Sequence, residues 1–233
     1  MMGTTPDQLN DTHLSERSCF LCEPLRDWIY CGNEQFLCMA GLGPLMDGYS
    51  VLASREHLHS MIDMPAEPVN AYEDLKLEVR ARLMALYGKP CIFTEHGRVP
   101  VCDYHDNRAN ERHCYHAHQL AFVGNLDLSH ALERPAFRVR RFSDFREAHS
   151  AVSAIAGEYL YYESASGAVT IAQAGPRIPR QFFRMLVADL VGAPHLANWR
   201  LHPGDPEALC ATARRLREVT ASRAPTADRA SHC

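Results

Sequence analysis

CYHAHQLAFVG, residues 114–124, is the stretch on which the reading of this chain turns. It reads as a strand, and along a strand alternate residues share a face, so His116 and His118 point the same way with their rings a few ångströms apart. Two imidazoles so placed invite a function. The plainer alternative is a pair of structural histidines that fall at this spacing by accident. The surrounding sequence weighs between them.

Working outward, QFLCMA (35–40) and GYSVLAS (48–54) are short apolar runs separated by Gly41, Gly43, Pro44, Asp47 and Gly48, which reads as two strands around a turn. From Pro68 the pattern changes. Tyr72, Leu75, Val79, Leu83 and Leu86 recur at three and four residues, the spacing of an amphipathic helix, and Gly88 and Pro90 stop it. PCIFTE (90–95) is a further strand, and residues 97–112 carry charged, proline and asparagine positions without a period, as a loop does. Downstream, YLYYE (159–163) and AVTIA (168–172) flank Ser164 to Gly167 as a hairpin. Two helices close the chain, one through Phe182, Phe183, Leu186, Val187 and Leu190, and one capped by Asp205 with Pro206 at its first position. The mixture predicts an α+β fold, an antiparallel sheet flanked by helices with a C-terminal helical extension. A single domain is expected over 18–221, with loose tails at 1–17 and 222–233.

Apolar residues make up 46% and charged residues 22%, which excludes a disordered or fibrous chain. The formal net charge of -4 and the lack of a basic tract argue against nucleic acid as the main partner. No apolar run approaches the roughly 20 residues that span a bilayer, and the amino end lacks the pattern of a secretory signal, so a cytoplasmic protein is expected. Nine cysteines, an odd number scattered through the chain, do not make a disulfide framework. Only Cys19 and Cys22 have the spacing of a metal clamp or redox pair.

CFLC (19–22), then GYSVLASREHLH with His57, then CYHAHQLAF, in that order, resemble the histidine-triad superfamily, and especially its zinc-containing branch related to galactose-1-phosphate uridylyltransferase. That resemblance implies a structural zinc held by Cys19, Cys22, His57 and His116, two thiolates and two imidazoles closing a tetrahedron. His59 competes with His57 for its place, since both follow the same strand. The resemblance further implies that His118 attacks the α-phosphorus of a nucleotide and forms a nucleotidyl-histidine, passed on to water, phosphate or a sugar phosphate. FTEHG (93–97) resembles a phenylalanine-x-glutamate-histidine-glycine segment of a bacterial subgroup, and PRQFFR (179–184) and NWR (198–200) fit its carboxyl-terminal part. His96, Gln181 and Arg184 are thereby candidates for contacts to nucleotide and phosphate, with helix capping and solvation as the alternative for Gln181 and Arg184. A homodimer is also expected from the family.

The chain departs from the pattern at the third triad position, where Leu120 replaces histidine. Gln119 sits one residue early and points to the opposite face of a regular strand; a β-bulge would re-aim it into a catalytic role. Without that bulge the leaving group must be protonated elsewhere or leave unaided. A second register stays open, with Cys114 as a zinc ligand and His116 as the nucleophile. Cys102, Asp103, His105, Asp106 and His113 in the preceding loop form either another metal set or a solvated substrate edge. Three functions follow: a nucleotidyl hydrolase or transferase, a zinc-stabilised nucleotide-binding protein without turnover, or an enzyme acting on nucleic-acid ends, which the acidic balance disfavours.

Overall fold

The computed structural model describes residues 20–100, 115–174 and 178–219. The two expected tails, Cys19, Cys114 and the loop set at 102–113 lie outside the described residues. Eight strands form one antiparallel sheet: β1 (Ile29–Gly32), β2 (Phe36–Ala40), β3 (Ser50–Ser54), β4 (Cys91–Gly97), β5 (His118–Val123), β6 (Phe137–Phe142), β7 (Tyr159–Glu163) and β8 (Val169–Ala174). Their order across the sheet is β1-β2-β3-β5-β4-β7-β8-β6. The fold is α+β, as the alternation of strand and helix patterns predicts.

Central strands are apolar on both sides because both sides are covered. Phe36, Cys38 and Ala40 of β2 join one core and Leu37 and Met39 join the other. The first core lies under α1 (Val69–Tyr87), α3 (Phe145–Ser150) and α5 (Pro206–Glu218); the second lies under α2 (Ser129–Leu132) and α4 (Phe182–Leu190). α1 buries Tyr72, Leu75, Val79 and Leu83, the stripe expected of its periodicity, and each such side chain contributes about 1.5–3 kcal/mol. It ends where Gly88 takes φ +66° and donates its N–H to the Met84 carbonyl. Asp205 caps α5 by accepting the Glu207 N–H at 3.1 Å.

Two strands escaped the sequence reading. β1 is short, and β6, FRVRRF, carries Arg138, Arg140 and Arg141. Arginine on a strand is what an edge position tolerates, because charge facing water discourages pairing with other chains. The alternation of Phe137 and Val139 with exposed Arg138 and Arg140 was its available signal. β5 is also shorter than the run 114–124, starting at His118. No helix among the described residues is long and apolar enough to cross a membrane.

The α1 side also buries charge. Lys76 and Glu163, 3% and 4% exposed, form an ion pair, and Arg80 reaches the other Glu163 oxygen at 2.7 Å. Tyr161 donates to the same carboxylate at 2.5 Å. Burial pushes the Glu163 carboxyl up, but Lys76 and Arg80 outweigh it and hold it below its ordinary value.

Candidate functional site

β5 is clamped between β3 and β4, and the β3 pairing runs without a break: Ala53 faces His118, Leu52 faces Gln119, Val51 faces Leu120 and Ser50 faces Ala121. A regular strand alternates its side chains, so His118, Leu120 and Phe122 project toward α4 while Gln119 and Ala121 project toward α1. The bulge that would re-aim Gln119 is not formed. Gln119 is fully buried on the far side, beside the Glu95 carboxyl, and does not line the cavity that His118 lines.

Glu95 itself accepts the Met61 N–H at 2.7 Å and the Tyr159 hydroxyl at 3.1 Å. Burial raises its carboxyl to about 8, against these hydrogen bonds. Tyr159 comes so close because its partner across the sheet is Gly97: a Cβ there would lie 2.0 Å from the ring. The last three residues of FTEHG thus have separate tasks, Glu95 and Gly97 building the core and His96 facing the other way.

His118 donates from Nδ1 to the His116 carbonyl at 2.9 Å. A carbonyl only accepts, so the proton of the neutral ring sits on Nδ1 and the lone pair on Nε2. The ring lines a cavity of about 170 Å³ together with His96, Gln181, Arg184 and Trp199. His96 Nε2 meets the Glu158 carboxylate at 2.5 Å. Burial lowers the His96 value, with Glu158 pulling the other way.

Arg184 is 3% exposed and tethered by carbonyls: Nε to Ala197 at 2.9 Å, Nη2 to Gly43 at 2.8 Å and to Leu196 at 2.9 Å. Its guanidinium lies 5.2 Å from the centre of the Tyr49 ring. Nη1 has no hydrogen-bond partner, and no carboxylate among the described residues pairs with the charge. A buried cation balanced only by dipoles is costly, and an anion in the cavity would relieve it. Beside it, Gln181 adopts φ +60°, a conformation non-glycine residues rarely take, and its buried Oε1 has no partner. Strained backbone and unmatched polar atoms at one cavity wall suit a ligand site.

A second cluster lies at the start of β5. Cys22 Sγ is 2.8 Å from His57 Nε2 and 3.6 Å from His116 Nδ1, and the three donor atoms lie within 4.8 Å of one another. The far nitrogen of each ring is tied to a carbonyl, His57 Nδ1 to Tyr115 at 2.8 Å and His116 Nε2 to Ser54 at 2.6 Å. Both protons therefore point away from the cluster and both lone pairs point toward the sulfur. Rings braced by carbonyls in this way are typical of metal ligands. Tetrahedral zinc bonded to sulfur and nitrogen sets them about 3.6 Å apart, which the His116 contact meets and the His57 contact falls short of. These three residues can hold a metal ion. His59 takes no part; it stacks on Tyr115 with ring centres 4.6 Å apart.

No model of a known protein family matches the chain, and no curated protein matches it. Among solved structures it is similar to the yeast Ap4A phosphorylase Apa2, solved in complex with AMP. The two share 10% identity over 80% of this chain and 81% of that chain, with a TM-score of 0.40. A likeness of that extent leaves the chemistry to be argued from this chain's own side chains.

The structure brings His96, His118, Gln181 and Arg184 to one cavity and Cys22, His57 and His116 to one cluster. It adds Glu158 and Trp199, which sequence reading left without a role. Glu158 had no signal at all, being a lone acid ahead of a strand, whereas NWR was already singled out as a fragment.

Proposed function

We propose that the protein is a nucleotidyl hydrolase or nucleotidyltransferase of the histidine-triad type, acting on a nucleotide phosphoanhydride, phosphoester or phosphoramidate through a covalent nucleotidyl-histidine on His118. The observation that carries this is the His118 ring, whose Nδ1–H is held by the His116 carbonyl so that Nε2 keeps its lone pair, in the cavity that also holds the uncompensated Arg184. A neutral, oriented imidazole is what attack on phosphorus requires, and a buried guanidinium stabilises the phosphoryl oxygens as charge builds on them. Gln181, its Oε1 unmatched, and the aromatic Trp199 complete the wall against which a nucleotide would lie.

Cys22, His57 and His116 are the ligands of a structural zinc in this reading, with Cys19 as the fourth. The ion would supply no chemistry to the reaction; it would tie the amino-terminal arm to the residues just before β5 and so fix the carbonyl that orients His118. His116 is 2% exposed and turned to Cys22, which supports that role and favours His118 as the nucleophile over the alternative register.

A second reading has one specific support. Leu120, at the third triad position, lies on the cavity wall and offers no proton, as a nucleotide-binding protein without turnover would allow. One experiment separates the two: incubation with α-labelled ATP and UTP, followed by a quench in base. An acid-labile label on the wild-type protein that vanishes in His118→Ala is expected. Label that persists in the variant moves the nucleophile elsewhere, and binding without any label establishes the second reading.

A further inference from the structure

We propose that His96, positioned by Glu158, is the general acid of this site and does the work that Leu120 cannot. The inference rests on the nucleotidyl-histidine reading and supplies the step it lacks.

β4 and β5 pair in register from Cys91 and Val123 to Thr94 and Leu120. Continued two residues along strands that both extend that far, this register sets His96 opposite His118 on the α4 side, where facing Cβ atoms stand roughly 5 Å apart. Both rings line the same cavity. Leaving groups depart from the side of phosphorus opposite the nucleophile, so the acid must be a neighbour of His118 rather than His118 itself.

The other cavity residues fail as acids for separate reasons. Leu120 is a hydrocarbon. Arg180, Arg184 and Arg200 hold their protons too tightly to release one. Burial raises the Tyr49 hydroxyl above its ordinary value. Glu95 directs its carboxyl to the far side of the sheet, where Met61 and Tyr159 engage it. His96 remains. Its Nε2 is bound to Glu158, and its Nδ1 has no hydrogen-bond partner among the described residues, so Nδ1 is the atom that carries the transferred proton. Glu158 steadies the imidazolium as a carboxylate does in other acid–base pairs. With the substrate absent, burial and the nearby Arg180 keep the ring short of its proton; the negative charge of an arriving phosphate acts the other way. The acid is thus charged together with the substrate.

The steps balance. His118 Nε2 gives its lone pair to phosphorus as the bond to the leaving oxygen breaks, and that oxygen takes the proton from His96 Nδ1. In the second half, water attacks the nucleotidyl-histidine and yields its proton to His96 Nδ1 while the P–N electrons return to His118. The sum is substrate plus water giving two products, with both histidines restored.

The test uses two esters of adenosine 5′-phosphate, one with p-nitrophenol, whose anion departs without a proton, and one with methanol, whose anion does not. His96→Asn is expected to lower kcat for the methyl ester about 10²–10⁴-fold and for the p-nitrophenyl ester less than tenfold. Glu158→Gln, on a side chain 39% exposed and so safe for folding, is expected to show the same selectivity with a smaller loss and an unchanged KM. Equal losses on the two esters in both variants, or no loss on either, would overturn the assignment. A wild-type protein that forms the His118 adduct yet gives unselective variants sinks this inference alone; a wild-type protein that forms no adduct from either ester sinks the parent reading as well.

Discussion

The two faces of the sheet treat charge in opposite ways. Beneath α1, Lys76, Arg80 and Glu163 neutralise one another, and Glu95, which forms no ion pair among the described residues, is held protonated by burial. Beneath α4, the Arg184 guanidinium is buried against carbonyls and the Tyr49 ring with no carboxylate among the described residues, and a cavity stands next to it. A group whose charge is answered within the protein serves the fold. A group left unanswered beside an open space waits for something from outside. The Cys22, His57 and His116 cluster also differs from the core: three donor atoms converge within 4.8 Å of one another, two of them on exposed residues, in a geometry that can hold a metal ion.

The sharpest way to break this contrast is to unmatch the closed face. Lys76→Ala leaves Glu163 buried with only Arg80 for compensation, and the expected loss is about 3–5 kcal/mol in urea unfolding. A loss below about 1 kcal/mol would mean that the charges under α1 are wetter than the fold implies. Next comes the metal. After chelation, zinc restored at a hundredfold excess over its Kd should raise stability by about 2.7 kcal/mol, a rise of about 5–10 °C in Tm, and Cys22→Ser should remove most of it. A chelated protein that melts unchanged with or without zinc would leave the cluster as a hydrogen-bonded one.

Glu95 gives a pH-dependent test of the closed face. Its carboxyl goes from the ordinary 4.5 to about 8 on folding, so between those values the folded protein holds a proton that the unfolded chain has released. Stability from this group is present below about pH 4.5 and is lost as pH rises through 8. Glu95→Gln keeps an acceptor for Met61 and abolishes the titration. The variant should be more stable than wild type at pH 9 by on the order of 5 kcal/mol, with the difference shrinking toward pH 5, as read by thermal melts across that range. The smallest effect belongs to the exposed pair Arg141 and Glu133, on the edge strand side. Arg141→Ala should cost less than about 0.5 kcal/mol, which shows that it is burial and not ion pairing as such that gives the α1 network its weight.

Much of the architecture was legible because it follows from local period. The stripe from Tyr72 to Leu83 could bury its apolar side only as a helix, and the runs around Leu37, Leu52 and Phe93 suited strands covered on both sides. That Cys22, His57 and His116 would come together, and that His118 would face a substrate, was implied by the family resemblance and not by any local period; the structure does bring the three into one group and His118 to a cavity. β6 was missed because three arginines in six residues mask a short alternation, and only its edge position makes so charged a strand favourable.

Residue order alone determined which side chains alternate along β5, since the period of two belongs to the backbone. It therefore required that Gln119 part from His118 unless a bulge intervened. Whether one did depended on how β3 and β4 grip the strand, a contact between segments more than 60 residues apart for β3. The same holds for Glu158 beside His96, separated by 62 positions and joined only by the pairing of β4 with β7. Spacing within a segment is set by bond geometry; proximity between segments is set by packing, and only the folded chain decides it.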